Sequence, residues 1–382
     1  MPSGGLDMSL HKYRLGELIT QRREKFDGVE ELPIRGVARE GFISPKQEGA
    51  DTSIYNVFYK YDFVFNPARM ELNSIALNLE FEKAICSSLY EVFYVSRRDL
   101  VMPEFLNLYI KRDEFSRKCW FESVGSARNY FRVANLSAFE LELPDLPTQQ
   151  KYVDIYNSMV ANQQAYERGL EDLKLTCDGY IEDLRRKIPC EKIGKYIELT
   201  ELTNENSQYG IDDVMGISIE KKLIRTKADM KDVNLAPYLL IQPNEFAYVT
   251  VTSRNGGKIS IALNDSDKTY ICSSSYVVFR SRNIEELLPQ YLMLFFSRNE
   301  FNRYSRFHSW GSAREAFDWD AMCDVQIPIP DIEIQKSIAE MYTVYNKRKK
   351  INEQLKAQIK NICPILIRGS LEDGGEPNGE PA

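Results

Sequence analysis

Two tetrapeptides of the sequence occur twice, and both pairs are separated by 186 residues. Ile85-Cys86-Ser87-Ser88 recurs as Ile271-Cys272-Ser273-Ser274, and Gly125-Ser126-Ala127-Arg128 recurs as Gly311-Ser312-Ala313-Arg314. Self-similarity at a fixed spacing indicates a duplicated structural unit. The sequence therefore predicts a tandem duplication with similar ends and a diverged middle in each copy, around residues 17–80 and 195–265.

Each copy is predicted to fold as an α/β segment followed by a long helix. Short runs rich in β-branched and aromatic residues, such as 89–95 in copy one and 276–279 in copy two, are typical of strands. The stretches 103–118 and 289–304 begin with proline in the first turn and predict amphipathic helices.

Heptad spacing follows each α/β segment. In the first copy, apolar and aromatic residues recur every three or four positions: Tyr156, Met159, Gln163, Tyr166, Leu170, Leu173, Cys177, Tyr180 and Leu184. A second apolar stripe runs from about residue 332 to 363 and includes Ile338, Met341 and Ile351. Since each stripe needs a partner, we expect the two helices to pack as an antiparallel coiled coil, with Gln163 as a polar residue that sets the register.

The predicted fold class is therefore α+β, with two α/β domains in tandem pseudo-repeat joined by two long helices that form an antiparallel coiled coil. The predicted boundaries are 1–146 for the first domain, 147–188 for the first helix, 189–330 for the second domain and 331–368 for the second helix. The segment 369–382 is rich in glycine, proline and acidic residues and is predicted to be a disordered tail.

Composition excludes several classes of protein. Of 382 residues, only His11 and His308 are histidines, which argues against a histidine-rich metal centre and against two copies of a histidine-dependent enzyme. The seven cysteines include no Cys-x-x-Cys pair, so neither a zinc ribbon nor a disulfide framework is expected. No run of 18 apolar residues and no signal peptide is found, and we expect a cytoplasmic protein without a membrane segment.

The motifs of covalent chemistry are weak or missing. Gly256-Gly257-Lys258 lacks the first glycine and the hydroxyl residue of a phosphate-binding loop, and a hairpin turn explains it better. Asn66-Pro67-Ala68-Arg69 is not the base-holding loop of an adenine methyltransferase. Asp213, Glu220 and Lys222 have nuclease-like spacing, but copy one has no equivalent of them.

Positive charge gathers at equivalent places in the two copies although the net charge is −7. Aromatic residues, among them Trp120, Phe121, Phe307 and Trp310, interleave with these cations. Arginine and lysine bind phosphates, and several polar side chains read base edges, so the pattern is typical of DNA binding. A solvated helix face over an aromatic core explains it equally well.

The ends of both copies carry a family resemblance. Copy one has Gly125-Ser126-Ala127-Arg128 and then Phe139-Glu140-Leu141-Glu142-Leu143-Pro144-Asp145-Leu146-Pro147-Thr148-Gln149-Gln150. Copy two has Trp310-Gly311-Ser312-Ala313-Arg314-Glu315-Ala316-Phe317, then Val325-Gln326-Ile327-Pro328-Ile329-Pro330 and Ile334-Gln335. This arrangement resembles the specificity subunit of type I restriction–modification systems, in which each target recognition domain ends in such a loop, strand and glutamine. Asp145 and Asp331 stand where many members have a second proline, and copy two has one glutamine where copy one has two.

The resemblance implies a non-catalytic subunit in which each recognition domain reads one half of a bipartite DNA target. The implied partners are double-stranded DNA, two modification (adenine methyltransferase) subunits and restriction (motor and nuclease) subunits, with no membrane. It implies no cofactor bound by this chain, because S-adenosylmethionine, ATP and Mg are used by the partner subunits.

The candidate DNA-binding residues follow from that reading. Arg128 and Arg314, in the matched loops, are predicted to contact phosphates or a groove. The base-reading candidates of the diverged middles are Lys46, Arg69, Asn73, Arg225, Lys227, Arg254 and Asn255. Two alternatives stay open: a protein-only scaffold without DNA specificity, and a freestanding nuclease that uses Asp213, Glu220 and Lys222.

Overall fold

The computed structural model describes residues 10–39, 41–45, 51–123, 130–252, 257–311 and 314–375. The chain divides into two compact units, and each long helix contributes to both of them. Unit 1 comprises Met1–Ala165 and Asn352–Ala382, and unit 2 comprises Tyr166–Ile351. No helix in the described ranges is long and apolar enough to cross a membrane.

Unit 1 is built from short strands and short helices before the first long helix. Its strands are β1 (His11–Arg14), β2 (Ile19–Arg22), β3 (Gly36–Ala38), β4 (Gly41–Ile43), β5 (Asn56–Tyr59), β6 (Asp62–Phe65), β7 (Ile75–Leu77), β8 (Lys83–Cys86), β9 (Glu91–Val95) and β10 (Glu140–Leu143). Its helices are α1 (Leu15–Leu18), a 3-10 helix (Pro67–Leu72), α2 (Pro103–Ile110), α3 (Asp113–Phe121), α4 (Val133–Ser137) and the first part of α5 (Leu146–Lys187).

Unit 2 repeats this order of elements. Its strands are β11 (Cys190–Lys192), β12 (Ile197–Leu199), β13 (Met215–Ile217), β14 (Leu223–Arg225), β15 (Leu239–Ile241), β16 (Phe246–Val249), β17 (Ile261–Leu263), β18 (Tyr270–Cys272), β19 (Tyr276–Ser281) and β20 (Gln326–Pro328). Its helices are two 3-10 helices (Ile193–Lys195 and Ile211–Asp213), α6 (Pro289–Ser297), α7 (Asn299–Phe307), α8 (Trp319–Cys323) and the first part of α9 (Ile332–Gly375).

The strand pairing of the two units is the same. Unit 1 has a four-stranded sheet in the order β2-β9-β6-β7 and the separate pairs β1–β10, β3–β4 and β5–β8. Unit 2 has β12-β19-β16-β17 and the pairs β11–β20, β13–β14 and β15–β18. The named strand pairs are antiparallel in both units. The predicted class, two α/β domains in tandem pseudo-repeat with long helices, is confirmed.

The central sheet of each unit packs its helices through the same aromatic pair. Phe63 and Phe93 stack with their ring centroids 4.8 Å apart in unit 1, and Phe246 and Phe279 stack at 4.9 Å in unit 2. All four rings are buried, and burying a phenylalanine side chain stabilises a fold by about 1.5–3 kcal/mol. The hydrophobic cores of the two domains therefore share the same central aromatic pair.

A buried carboxylate closes the turn at the start of an equivalent central strand in each unit, β6 in unit 1 and β16 in unit 2. Asp62 accepts a hydrogen bond from the backbone N–H of Tyr59 at 2.8 Å, and Glu245 accepts one from Gln242 at 2.7 Å. Arg22 donates to Asp62 at 2.6 and 3.1 Å. Burial raises the pKa of the Asp62 carboxyl, and Arg22 opposes that shift. The turn is thus held by side chains whose identity differs between the copies although their function is shared.

Close backbone approach explains a glycine that the two copies share. A Cβ atom on Gly16 would lie 2.7 Å from Cβ of Ser137, and one on Gly194 would lie 2.8 Å from Cβ of Cys323. Separations this short are not tolerated between carbon atoms, so only glycine fits against the end of the short helix at both places. Gly16 and Gly194 therefore have the same packing function in the two units.

The long helices pack against each other inside each unit. In unit 1, Lys151 and Tyr152 of α5 bond to Asp373 of α9, while Gln163 donates to Asn352 at 3.0 Å. Because 152 pairs with 373 and 163 with 352, the helices run antiparallel there, as predicted. In unit 2, the last turns of α5 share a core with the first turns of α9, through residues such as Ile181 and Ile338.

The seam differs from the predicted one at two places. Ile181 is fully buried, whereas the predicted seam residue Tyr180 is half exposed. A heptad accepts either residue between Cys177 and Leu184, because steps of four and then three residues fit it as well as steps of three and then four. On α9, Asn352 is 6% exposed and Ile351 is 39% exposed. The bond to Gln163 draws the polar Asn352 into the seam in place of the apolar neighbour.

Helix α9 ends later than the predicted 368. It continues through Gly375, so the first residues of the predicted tail are helical. Ser370 is buried, and the carboxylate of Asp373 is tied to Lys151 at 2.6 Å. These contacts with α5 stabilise helical turns that composition alone assigns to a disordered segment. Residues 376–382 lie outside the described ranges.

One buried glutamine fastens each long helix to its own domain. Gln149 Nε2 donates to the carbonyls of Leu100 and Pro144, both at 2.8 Å, and its Oε1 accepts from Met102 N–H at 2.9 Å. Gln335 makes the same three bonds, to Glu286, Pro330 and Leu288, at 2.8, 2.8 and 2.9 Å. Every partner is displaced by 186 residues, which makes this contact, the glutamine clasp, the most closely repeated feature of the fold.

We expect Gln149→Ala to lower the free energy of unfolding by about 3 kcal/mol, because it removes three hydrogen bonds and leaves backbone groups unpaired at a buried site. Gln150→Ala is the matched control, since that neighbouring side chain is exposed, and it should stay within about 0.5 kcal/mol of the parent. Denaturant unfolding of the full chain measures both. Equal losses for the two variants would contradict the clasp.

Candidate nucleic-acid interface

The loop that carries Arg314 is a closed turn on unit 2. Trp310 and Ala316 exchange two backbone hydrogen bonds, of 3.1 and 3.0 Å, and so close the base of the loop. Gly311 has a φ of +142°, and a Cβ there would lie 2.2 Å from the carbonyl oxygen of Arg314. Glycine is therefore required at this position. The Trp310–Ala316 bonds and the close approach of Gly311 to Arg314 constrain the described backbone on both sides of the loop.

Hydrogen bonds anchor this loop to the central sheet. The carbonyl of Glu315 accepts from the N–H of Thr252 at 3.0 Å, and the hydroxyl of Thr252 donates to that of Ser309 at 2.9 Å. The Glu315 carboxylate pairs with Arg306. The side chain of Arg314 is exposed and makes no hydrogen bond or ion pair with the residues that the structure describes. A fixed backbone with an unpaired guanidinium is suited to binding an external phosphate.

Exposed aromatic rings lie beside this loop and at the equivalent place of unit 1. Phe307, the last residue of α7, is 74% exposed, and Phe121, the last residue of α3, is 78% exposed. These two residues are separated by 186 positions, the displacement of the repeat. Trp310 and Trp120 are exposed as well. The aligned phenylalanines could have been found from the sequence by applying the repeat spacing to the aromatic residues.

The charged and aromatic pattern has two explanations, a DNA-binding surface and a solvated helix face over an aromatic core, and different residues fit each of them. Phe115 and Phe301 are core residues, whereas Phe121 and Phe307 are on the surface. Arg298, the N-cap residue of α7, is 5% exposed and lies among Asp178, Glu182 and Glu300. The helices therefore contribute both to the core and to an exposed basic and aromatic surface.

Arg225 and Lys227 lie at the end of the β13–β14 hairpin. Arg225 is 81% exposed, and its guanidinium lies 3.9 Å from the carboxylate of Asp212. This distance makes a loose ion pair between two solvated side chains. Lys227 is exposed and has no partner among the described residues. Both side chains are free to reach a ligand. Their function in base reading stays a prediction.

Arg69 and Asn73 belong to the 3-10 helix of unit 1 and its C-cap. Asn66 caps the start of this helix by accepting from Ala68 N–H at 3.1 Å, and Arg69 is exposed. Asn73 has a left-handed φ of 55°, and its Nδ2 donates to the carbonyl of Ile110 at 3.0 Å. Asn73 thus ties the 3-10 helix to α2, and it would have to release that bond to read a base.

Four predicted DNA contacts lie outside the described residues: Lys46, Arg128, Arg254 and Asn255. Nothing in the described structure bears on them, and they stay predictions.

The nuclease-like residues do not assemble into a metal centre. Asp213 accepts from Gly210 N–H at 2.9 Å and so caps its own 3-10 helix. Glu220 lies 3.6 Å from Lys258 and 3.7 Å from Lys349. Within the described part of the chain, no group of three or more histidine, cysteine or acidic side chains could hold a metal ion. The arrangement does not favour metal-dependent cleavage by these residues.

Comparison with known sequences identifies the second copy directly. The family model for the type I restriction modification DNA specificity domain matches residues 199–361. The specificity subunit of the type I restriction enzyme HindI, from Haemophilus influenzae, is 23% identical over 148 residues, which are 38% of this chain and 32% of that protein. The match thus spans about a third of the length of this relative.

Solved structures share the fold over almost the whole chain. The S subunit of the type I restriction–modification system from M. genitalium has a TM-score of 0.57 at 10% identity and is covered over 99% of both chains. A chain from the structural work on complex assembly and conformational transition of the type I R-M system has a TM-score of 0.50 at 17% identity, over 95% of this chain and 98% of that one. Residues 199–361 are therefore similar to the type I restriction modification DNA specificity domain, and the chain as a whole shares the fold of these solved structures.

Proposed function

We propose that this chain selects the DNA sequence on which a type I restriction–modification complex acts. Each recognition domain reads one half of a bipartite target in double-stranded DNA. The chain itself is non-catalytic, and it positions two adenine methyltransferase subunits and the restriction subunits, which use S-adenosylmethionine, ATP and Mg.

The observation that carries this proposal is the contrast between a repeated framework and a different surface. The glutamine clasp and the stacked phenylalanines occur in both domains. In the β3–β4 hairpin Gly36 pairs with Ile43, and in the β13–β14 hairpin Gly216 pairs with Ile224. The next exposed residue is Ser44 in one copy and Arg225 in the other. Two domains with one scaffold and different exposed side chains are suited to reading two different half-sites.

Surface features that both domains share support a partner that contacts the two domains in the same way. Phe121 and Phe307 are exposed at equivalent helix ends. A ligand common to both halves, such as a modification subunit or the DNA backbone, would contact residues of this kind, because it does not distinguish the half-sites.

The experiment that tests the function is methylome sequencing of a host that expresses this chain with its modification subunit, against a host that lacks only this chain. We expect a new bipartite adenine-methylation motif with a fixed gap. A soluble complex that produces no new motif would favour the protein-only scaffold.

The half-sites should respond separately to substitutions in the two domains. We expect Arg69→Ser to relax base preference in one half of the methylated motif and Arg225→Ser to relax it in the other half, since losing a specific base contact costs about 1–3 kcal/mol of discrimination. The two variants serve as controls for each other. A change in both halves from either variant would contradict independent reading.

Arg314→Ala should weaken DNA binding of the complex without changing the motif. We expect about a fivefold loss of affinity, equivalent to about 1 kcal/mol, and a salt dependence reduced by about one counterion. Arg186→Ala removes an equally exposed arginine from α5 and is the matched control. Salt titrations of binding to target DNA measure both, and the phosphate-contact role fails if Arg186→Ala has the same effect.

A further inference from the structure

Unit 2 contains a cleft that DNA reading does not require. Its volume is about 620 Å³, within the range of about 300–1,000 Å³ typical of small-molecule sites. Its walls come from the end of α5, the turn between β13 and β14, helices α6 and α7, and the 342–350 part of α9. A recess of this size admits a small molecule.

The turn that forms one wall exists in this copy only. The β13–β14 hairpin pairs Ile217 with Leu223 and so has a five-residue connection, whereas β3–β4 pairs Ala38 with Gly41 and has a two-residue connection. The longer turn carries Lys221 and Lys222 into the cleft. The first domain has the same fold but no equivalent of Lys221 and Lys222, so the fold does not require these two residues.

Positive charge dominates the wall of the cleft. Lys174, Lys222, Lys347 and Lys350 line it and form no ion pair within the described residues. Glu220 is shared between Lys258 and Lys349, at 3.6 and 3.7 Å. Like charges in a concave site repel one another and concentrate anions, so the cleft is electrostatically suited to a negatively charged ligand.

Lys221 is the innermost of these cations. Its backbone is left-handed, with a φ of 59°, a conformation that is strained for a residue with a Cβ. Its Nζ donates to the carbonyl of Phe296 and lies 5.3 Å from the ring centroid of Phe301. Burial lowers the pKa of Lys221 to about 7, and the charge of Lys258 adds to this effect. The turn thus holds a largely buried amine that forms no ion pair among the described residues, although Asp178, Glu220 and Asp265 also line the cleft.

Apolar and aromatic side chains line the same cleft. Tyr342 and Tyr345 stack with a centroid separation of 6.1 Å, and Met293 and Leu294 line the same recess. The hydroxyls of Tyr342 and Ser297 are hydrogen-bonded at 2.7 Å, which fixes the position of the ring. Aromatic rings and lysines that line one cleft are suited to a ligand with a planar ring and a phosphate chain.

We propose that this cleft binds a small phosphate-bearing ligand of nucleotide size, with its phosphates at Lys221 and Lys222 and its ring against Tyr345. The anion supplies the counter-charge that the lysines lack. It also favours the protonated amine of Lys221, so binding above pH 7 takes up protons.

Calorimetric titration of the full chain with pyrophosphate and with ATP tests this site, at pH 8 and in two buffers of different ionisation enthalpy. We expect binding in the millimolar range or tighter, with uptake of a proton fraction approaching one. ATP that binds about tenfold tighter than pyrophosphate, equivalent to about 1.4 kcal/mol, would assign the aromatic wall to a base. Equal affinities would assign the site to inorganic polyphosphate, which is the same phosphate chemistry without the ring.

Lys221→Met keeps the volume of the buried stem, and we expect it to weaken binding at least about tenfold and to abolish proton uptake. Lys222→Gln lies on the exposed side of the turn, so its effect on affinity can be measured even if the buried variant folds poorly. Lys336→Gln, on α9 and paired with Glu333, is the matched control and should bind as the parent does.

Three results would overturn the proposal. These are no binding at millimolar ligand in low salt, equal weakening in Lys336→Gln, and displacement of the ligand by an unrelated DNA duplex. Displacement by DNA would assign these lysines to the DNA backbone. The other two results would refute the ligand site alone, because the methylation motif of the complex tests the proposed function separately.

Discussion

The glutamine clasp is the contact on which the organisation of each domain depends. The side chain of Gln149 or Gln335 fills three hydrogen-bonding positions at the point where a β-strand, a loop and the first turn of a long helix meet. Buried backbone groups at such a junction must be paired. One amide satisfies them without adding charge, and it fixes the direction in which the helix leaves its domain.

A framework fixed in this way leaves the exposed surface free to differ. The central sheets, the stacked phenylalanines and the glycines at Ser137 and Cys323 repeat because each is constrained by packing. The hairpins β3–β4 and β13–β14 pack residues such as Val37 and Leu223 into the hydrophobic clusters, whereas residues of their connecting turns, such as Lys222, are exposed. They accept different lengths and different charges, as the five-residue turn with Lys221 illustrates. Duplication therefore supplies two similar scaffolds, and the two domains differ in the length and charge of these hairpins.

Much of this organisation could be predicted because repeats and heptads are properties of spacing alone. The repeat at 186 residues predicted two similar domains, and the apolar stripes predicted paired antiparallel helices with Gln163 as a polar residue of the seam. The side chains that meet a ligand were harder to assign. Composition could not separate Phe301, which is buried, from Phe307, which is exposed, although both belong to the same helix. Nor could it separate the buried Arg298 from the exposed Arg303.

The sequence by itself determined the duplication, the fold class and the pairing of the helices, because each follows from residue type repeated at a fixed interval. Only the tertiary structure decided which seam position is filled by Ile181 or by Asn352, since alternative heptad spacings fit the same residues. It also decided that helical turns continue to Gly375, through contacts of Asp373 with α5. Above all, it brought Lys221 and Tyr345 to one cleft, because residues distant in the chain become neighbours only when the backbone folds.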